Sequence, residues 1–497
     1  MQAEKESEIK SLKGWLWEER SYDQKTKEDL KTELSLSDFQ AQILSGRQEV
    51  ISNFAHFLKP TLKDSMPDPF SLIDMQKGAE FVADAIRKKK KIAIFGDYDV
   101  DGATSSAVLK RFFHHFEIDA RIYIPDRIME GYGPNIKALK QLKDEGHDLV
   151  ITVDCGTTAI APLEQAAAFG LDIIVVDHHI SNNIKPQAIA IINPNRDDDS
   201  SSLGYLAGVG VCFMLMVAVN KILRESGYYE TTPKGVVNLL DLLDLVALGT
   251  VCDCVPLIGL NRAFVHQGLK ILNRRENIGV RHLVEVAARS DKKIEPFHLG
   301  FMLGPRINAA GRVGKSSLGS ELLASYDANN LQNISLKLDI HNKERQAIEA
   351  VVLEEVIETI IKENLADDPI IVASGENWHP GVIGIVASRI KERFQKPTMI
   401  ISITGNDGKA SCRSMADINV GEIIINAKEA GIISEGGGHK MAAGFSIVST
   451  KIAELREFIC TNYQDEINAK LAKQRLWFDY CCSLEKIDAE FFSEVQA

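Results

Sequence analysis

The chain has 497 residues, 45% of them hydrophobic, enough to bury more than one core, so two or three domains are expected. Its formal charge of −12 argues against a broad nucleic-acid-coating surface but leaves room for a local basic channel. The longest apolar run, residues 209–219, is too short to span a bilayer and reads as a buried helix, so no membrane role is expected.

Residues 1–10 are charged and polar and carry no secretory signal. They open an N-terminal helical segment placed at residues 1–75, rich in charge and weak in periodicity. Residues 76–90 read as a helix ending in Lys88-Lys89-Lys90-Lys91. A helix dipole favours such a run as a solvated end; contact with a DNA backbone is the alternative. Apolar strands follow at 91–96, 149–153 and 173–176, alternating with helices such as 104–116 and 135–145. That alternation indicates an α/β fold whose parallel sheet is covered on both faces. The aspartates at 197–199 lack strand context and read as a polar loop. Residues 234–250 form an apolar helix leading into Asp253. Residues 327–364 read as a long charged helix, a rigid connector. A second α/β unit begins at 369–373 and runs to about 468, leaving 469–497 with one strand-like stretch at 476–482. Of the eight cysteines, Cys252 and Cys254 are one residue apart and Cys481 and Cys482 are adjacent. Neither spacing suits a zinc site or a disulfide framework, which points to reduced thiols in a cytoplasmic protein.

The chemistry lies at strand ends. Asp97-Tyr98-Asp99-Val100-Asp101-Gly102, Asp154-Cys155-Gly156 and Asp177-His178-His179 each follow a strand, and Asp253-Cys254-Val255-Pro256 follows the apolar helix. In parallel sheets ligands bind beyond the carboxyl ends of the strands. Three strands therefore deliver acidic residues to one edge, and alternate aspartates leaving a strand can point to one side. Taken alone, Asp97–Asp101 could be a capped turn with solvent-facing carboxylates. Together the groups suit a pair of divalent cations: carboxylate oxygens take Mn²⁺ or Mg²⁺, and neutral imidazole tilts the choice toward Mn²⁺. One imidazole of the pair can ligate metal while its neighbour faces a phosphate. Two such ions suit phosphoryl transfer.

These stretches resemble the DHH phosphoesterase superfamily and, within it, the RecJ family of bacterial single-strand-specific exonucleases. The likeness covers roughly residues 10–470. It also rests on Trp17-Glu18-Glu19-Arg20, the stretches 125–133, 305–312 and 379–389, Ser411-Cys412-Arg413, and Gly436 to Gly444. The resemblance implies a DHH catalytic domain at 76–326, the connector at 327–364 and a DHHA1 accessory domain at 365–468. It further implies that most of a C-terminal OB-like domain is missing after 469–497, which would weaken DNA binding and shorten processive runs.

Roles follow from the same resemblance. Asp99, Asp101, Asp154, His178 and Asp253 would ligate two ions, with Asp154 bridging them and Asp97 as a further ligand or support. His179 would contact the scissile phosphate. Arg306, Asn308 and Arg312 would hold substrate phosphate or stabilise transition-state charge, a role that suits guanidinium forks. An ion pair or helix cap is the structural alternative for these arginines. Ser411, Arg413, His379 and the Gly437-Gly438-His439 segment would form an anion pocket that, with Arg127, grips a terminal 5′-phosphate. The implied activity is 5′→3′ hydrolysis of single-stranded DNA to 5′-mononucleotides by a monomer acting in DNA repair and recombination. Its implied partners are a single-strand-binding protein and a helicase. Two alternatives stay open: a relative that cleaves short oligonucleotides or cyclic dinucleotides, and a non-catalytic replisome scaffold.

Overall fold

The computed structural model describes residues 10–12, 14–47, 51, 53–127, 129–180, 184–288 and 292–496. The charged start at 1–9 and Ile128 of the 125–133 stretch lie outside the described residues. The first described strand is β1 (Leu16–Glu19), in a region whose sequence showed only weak helical periodicity. Helices Gln24–Leu34 and Asp38–Ser45 follow, each N-capped by a side chain, Asp23 and Ser37. The chain divides into two compact units: His56–Arg345, and Gln346–Ala497 together with residues up to Ala55.

In the first unit helix α1 (Met75–Arg87) leads into β2 (Ile92–Gly96). With β3 (Arg121–Tyr123), β4 (Leu149–Val153), β5 (Asp172–Val176) and β6 (Ala190–Ile192), β2 forms a five-stranded sheet of order β3-β2-β4-β5-β6. All neighbours run parallel. Every residue of β2 and β4 is buried, because both faces are covered. Ile92, Ile94, Ile151 and Val176 enter one core; Ala93, Phe95, Val150 and Val175 enter the other. The register aligns Gly96 with Val153 and Val153 with Val176. The next residues, Asp97, Asp154 and Asp177, therefore leave the sheet at one level. The chain order also reverses between β2 and β4, the switch point where such sheets bind ligands.

Helix α2 (Val100–His115) corrects the expectation of a strand exit with alternating aspartates and of a helix beginning at 104. The strand stops at Gly96, and Asp99 is the N-cap, its carboxylate accepting the Gly102 amide at 3.0 Å. Asp101 thus lies in the first helical turn. Gly102 permits the tight entry, since a Cβ there would stand 2.3 Å from the Asp97 carbonyl oxygen. Helices α3 (Ile136–Asp144), α4 (Gly208–Glu225) and α5 (Leu243–Cys252) follow. The apolar helix expected over 234–250 begins only at Leu243, after a 3₁₀ turn at Leu239–Leu242 that Asn238 caps. The lysine run is local structure: Lys88 pairs with Asp84 at 2.8 Å, Lys90 lies over the Phe81 ring, and Lys91 donates to the Glu145 carbonyl. The 197–199 loop is held by Arg196, which pairs with Asp198 and Asp74. Helices α6 (Gly304–Val313) and α7 (Ala328–Lys362) complete the path to the second unit, the 35 residues of α7 carrying the boundary.

The second unit holds a mixed sheet. Its strands are β7 (Ile371–Glu376), β8 (Thr398–Thr404), β9 (Asp407–Arg413), β10 (Glu435–His439) and β11 (Ala442–Val448), in the order β10-β11-β9-β8-β7. Helix α8 (Ile383–Phe394) packs with Ile371, Ala373 and Ile400 on one face. On the other face Met399, Cys412, Ala443 and Phe445 share a core with helices α9 (Val420–Glu429) and α10 (Ile452–Leu471). Finally β12 (Arg475–Phe478) pairs in parallel with β1. Among the described residues no helix is long and apolar enough to cross a membrane.

Candidate metal centre and anion cradle

The carboxyl edge of the first sheet gathers Asp97, Asp99, Asp101, Asp154, His178, His179 and Asp253. Their ligand atoms form three metal-sized groups: Asp154, His178 and His179; Asp101, His178 and Asp253; and Asp97, Asp99 and Asp154. Asp154 and His178 each belong to two of them. His178 Nε2 lies 3.2 Å from Asp154 Oδ1, 3.6 Å from Asp253 Oδ2 and 3.8 Å from Asp101 Oδ2.

Burial sets the electrostatics. It is the first cause that pushes Asp97 and Asp154 well above the usual carboxylate range, Asp101 to about 7 and Asp253 to about 8, with neighbouring carboxylates adding to it. Burial also lowers His178, which favours the neutral imidazole that a metal requires. Asp97 Oδ1, Asp154 Oδ1, Asp253 Oδ2 and His178 Nε2 are buried without a hydrogen-bond partner. Buried acceptors left converging in this way cost free energy unless a cation joins them. The donor set therefore fits divalent cations of the Mn²⁺ or Mg²⁺ kind.

Supporting residues fix this geometry. Asp101 accepts the Gly208 and Val209 amides at 2.6 and 2.9 Å, so the start of α4 holds its carboxylate in place. A Cβ at Gly208 would stand 3.0 Å from Asp101 Oδ2 and 3.1 Å from Asp154 Cβ, leaving no slack for a larger residue. Asp177 accepts from the Thr157, His178 and His179 amides and from His179 Nδ1 at 2.8 Å. Although burial opposes its charge, the hydrogen bonds from His179 and Thr157 hold its pKa far below normal. Burial likewise opposes the His179 cation, but the bond to Asp177 wins and lifts its pKa to about 9. The Tyr132 hydroxyl donates to the Asp154 carbonyl at 3.2 Å. Asn193 and Asn195 hold the His179 and His178 carbonyls. The sequence places Asp177 at this edge without a role of its own, and gives none to Gly208, Tyr132, Asn193 or Asn195. Asn193 directly follows β6, so the strand-end rule that found the aspartates also points to it.

The arginines divide. Arg127 lies 4.7 Å from the centre of the Tyr98 ring, and its charge acts on Asp97. Helix α6 packs on the same loop, since a Cβ at Gly311 would stand 3.1 Å from the Tyr98 carbonyl, and the charge of Arg312 reaches Tyr98. Asn308 sits half-buried on α6. Arg306 pairs with Asp339 of α7 at 2.9 Å and donates to the Met302 carbonyl, so here it ties two helices together.

In the second unit Arg413 donates to Ser411 Oγ at 3.2 Å and to the Cys412 carbonyl. A Cβ at Gly384 would stand 3.0 Å from both Arg413 Nη2 and Ser411 Oγ, so the first turn of α8 faces this pair. The amides of that turn, the hydroxyl and the guanidinium form a cradle suited to an anion. Cross-strand register sets Ser411, Gly444 and Gly437 in one row, and Arg413, Ala442 and His439 in the next. The floor between β9 and β10 is thus nearly free of side chains. Gly438 turns to the other face, against Ala443. His439 is exposed and accepts the Met441 amide; His379 accepts the Gly381 amide, and burial lowers its pKa.

Residues 91–250 match the DHH family, N-terminal domain, and residues 367–465 match the DHHA1 domain. The single-stranded-DNA-specific exonuclease RecJ of Escherichia coli (strain K12) is 36% identical over 406 residues, 80% of this chain and 70% of that protein. The RecJ of Bacillus subtilis (strain 168) is 32% identical over 96% of this chain, which spans 59% of that protein's length. The crystal structure of RecJ from Thermus thermophilus in complex with Mn²⁺ has a TM-score of 0.78 at 27% identity, covering 97% of this chain and 67% of that one. Another, of exonuclease RecJ bound to manganese, has a TM-score of 0.66 at 31% identity, covering 78% and 94%. Metal-suited clusters at a parallel sheet's switch point, a DHHA1 unit and these likenesses lead to one conclusion: the chain belongs to the RecJ family of DHH proteins.

Proposed function

We propose that this chain is a metal-dependent 5′→3′ exonuclease on single-stranded DNA that releases 5′-mononucleotides and serves DNA repair and recombination. The observation that carries the reading is the convergence of four buried, unpartnered ligand atoms from Asp97, Asp154, Asp253 and His178 at one sheet edge. Asp99, Asp101, Asp154, His178 and Asp253 would hold two cations, with Asp154 between them and Asp97 in support. A cation pair bound there supplies Lewis acidity, lowering the pKa of water and neutralising charge on the phosphoryl oxygens. Water adds to the phosphorus and the 3′-oxygen departs, leaving a 5′-mononucleotide and a strand with a new 5′-phosphate.

The chain's own residues orient this step. His179, a cation held through Nδ1 by Asp177, presents Nε2 as a donor to a phosphoryl oxygen. Arg127 and Arg312, which act on the Asp97–Asp101 loop, would meet other phosphate oxygens. Arg306 would join them by giving up Asp339, with Asn308 beside it. Ser411 and Arg413 would take the terminal 5′-phosphate, with His379, Gly437, Gly438 and His439 around it. A pocket that accepts only a terminal 5′-phosphate would give the enzyme its polarity. A single-strand-binding protein and a helicase are the partners such an enzyme would use.

Oligonucleotides labelled at either end test this, in Mn²⁺, beside the Asp154→Ala protein. The expected result is immediate release of labelled mononucleotide from the 5′ end only, absent in the variant. Cleavage from the 3′ end, or turnover of dinucleotides alone, would overturn it.

A further inference from the structure

We infer that the second unit carries a further subsite for single-stranded nucleic acid, apart from the Ser411–Arg413 cradle, in which a base stacks on tryptophan and neighbouring phosphates meet lysines. The inference rests on the single-strand reading above. A concave pocket of about 800 Å³ lies there, lined by Trp15, Lys391, Met441, Lys473, Arg475 and Trp477 among others. Trp477 is 50% exposed. It shares a face of β12 with Arg475, since alternate residues of a strand point the same way.

The charge balance of the lining favours an anion. Arg475 is already matched by Glu18 at 2.5 Å, and Lys470 by Glu466 at 2.6 Å. Lys391 and Lys473 have no ion-pair partner among the described residues. Of the two lining carboxylates, Asp417 is matched by Lys440 at 2.8 Å, which leaves Glu392. A local excess of positive charge beside the open indole of Trp477, in a chain of net charge −12, is a combination that single strands use. Bases in a duplex are stacked on one another and offer no free face to an indole. Ser414 also lines the pocket and directly follows Arg413, so the subsite adjoins the cradle. A strand held at its terminal phosphate would have a second hold nearby.

Binding is measured on the full chain in chelator, where no cutting occurs, with a labelled oligothymidylate of about twelve nucleotides. Failure of the metal-dependent cleavage reading would leave this measurement intact. Trp477→Ala is expected to weaken binding roughly tenfold. Lys473→Gln, an exposed change that leaves the fold alone, is expected to lower the slope of log affinity against log salt by about 0.7. Trp17→Phe, at an indole that packs on Phe478 away from the pocket, is expected to bind as the parent does. Unchanged affinity in Trp477→Ala together with an unchanged slope in Lys473→Gln would overturn the subsite. Competition by thymidine monophosphate as strongly as by the oligomer would also overturn it, by making the pocket a mononucleotide site.

Discussion

Asp154 enters the site through strained backbone. Its φ of 57° lies in the left-handed region that non-glycine residues seldom adopt, and the turn brings its carboxylate onto His178. Strain of this kind survives where surrounding contacts fix it, here the Val176 carbonyl, which accepts the Asp154 amide, and the Tyr132 hydroxyl. His179 owes its charge chiefly to Asp177, with the carboxylates of Asp97 and Asp253 adding to it against burial. Its cation exists below a pKa of about 9 and is lost above it. Activity that uses the cation should therefore fall as pH rises through that value. Asp177→Asn removes the bond that raises the pKa, so the falling limb should move down toward about 6.5, the ordinary histidine value. The rate at neutral pH should drop about fourfold, the share of the cation lost when its pKa falls to that value. A pH–rate profile of the two proteins checks this; an unmoved limb would remove His179 from the chemistry.

At the scale of elements, the site is a product of register. Gly96, Val153 and Val176 align across β2, β4 and β5, and the residues after them meet at one edge. The starts of α2 and α4 close the site, through the Asp99 cap and the amides on Asp101. Packing beneath it holds a carboxylate with no place in the chemistry. Asp244, in α5, is buried, and that burial lifts its pKa to about 6 against the pull of Arg111. Because the folded pKa is raised, the native state keeps a proton that the unfolded chain loses, so stability falls as pH rises from about 4 to about 6. Asp244→Asn should therefore be more stable than the parent at pH about 7.5, by on the order of 2–3 kcal/mol, and no different near pH 4. Thermal melts of the metal-free proteins measure this. A less stable variant at the higher pH would mean that attraction to Arg111 outweighs burial.

At the scale of the whole molecule, much of the architecture is legible along the chain because it is local. Unbroken apolar strands at β2, β4 and β5, each followed by an aspartate, announce a covered parallel sheet and its functional edge. What was not legible depends on distant partners. The four-residue strands β1 and β12 pair across more than 450 positions, too short for a period and too far apart for a turn signal. The cap at Asp99 was one of two readings, because an alternating acidic run can also leave a strand, and only the Gly102 amide bound to its carboxylate decides between them. The Arg306 bond to Asp339 depends on which faces α6 and α7 present, and the sequence leaves that open. The pairing of Asp177 with His179 needs a turn geometry that adjacency alone does not supply.

The central claim is that one edge of one sheet holds two divalent cations through a shared Asp154. Calorimetric titration of the chelator-treated protein with Mn²⁺, beside Asp154→Asn, tests it most directly. Two ions per chain are expected in the parent, with both affinities weakened in the variant. A single ion per chain, or two that Asp154→Asn leaves unchanged, would contradict it.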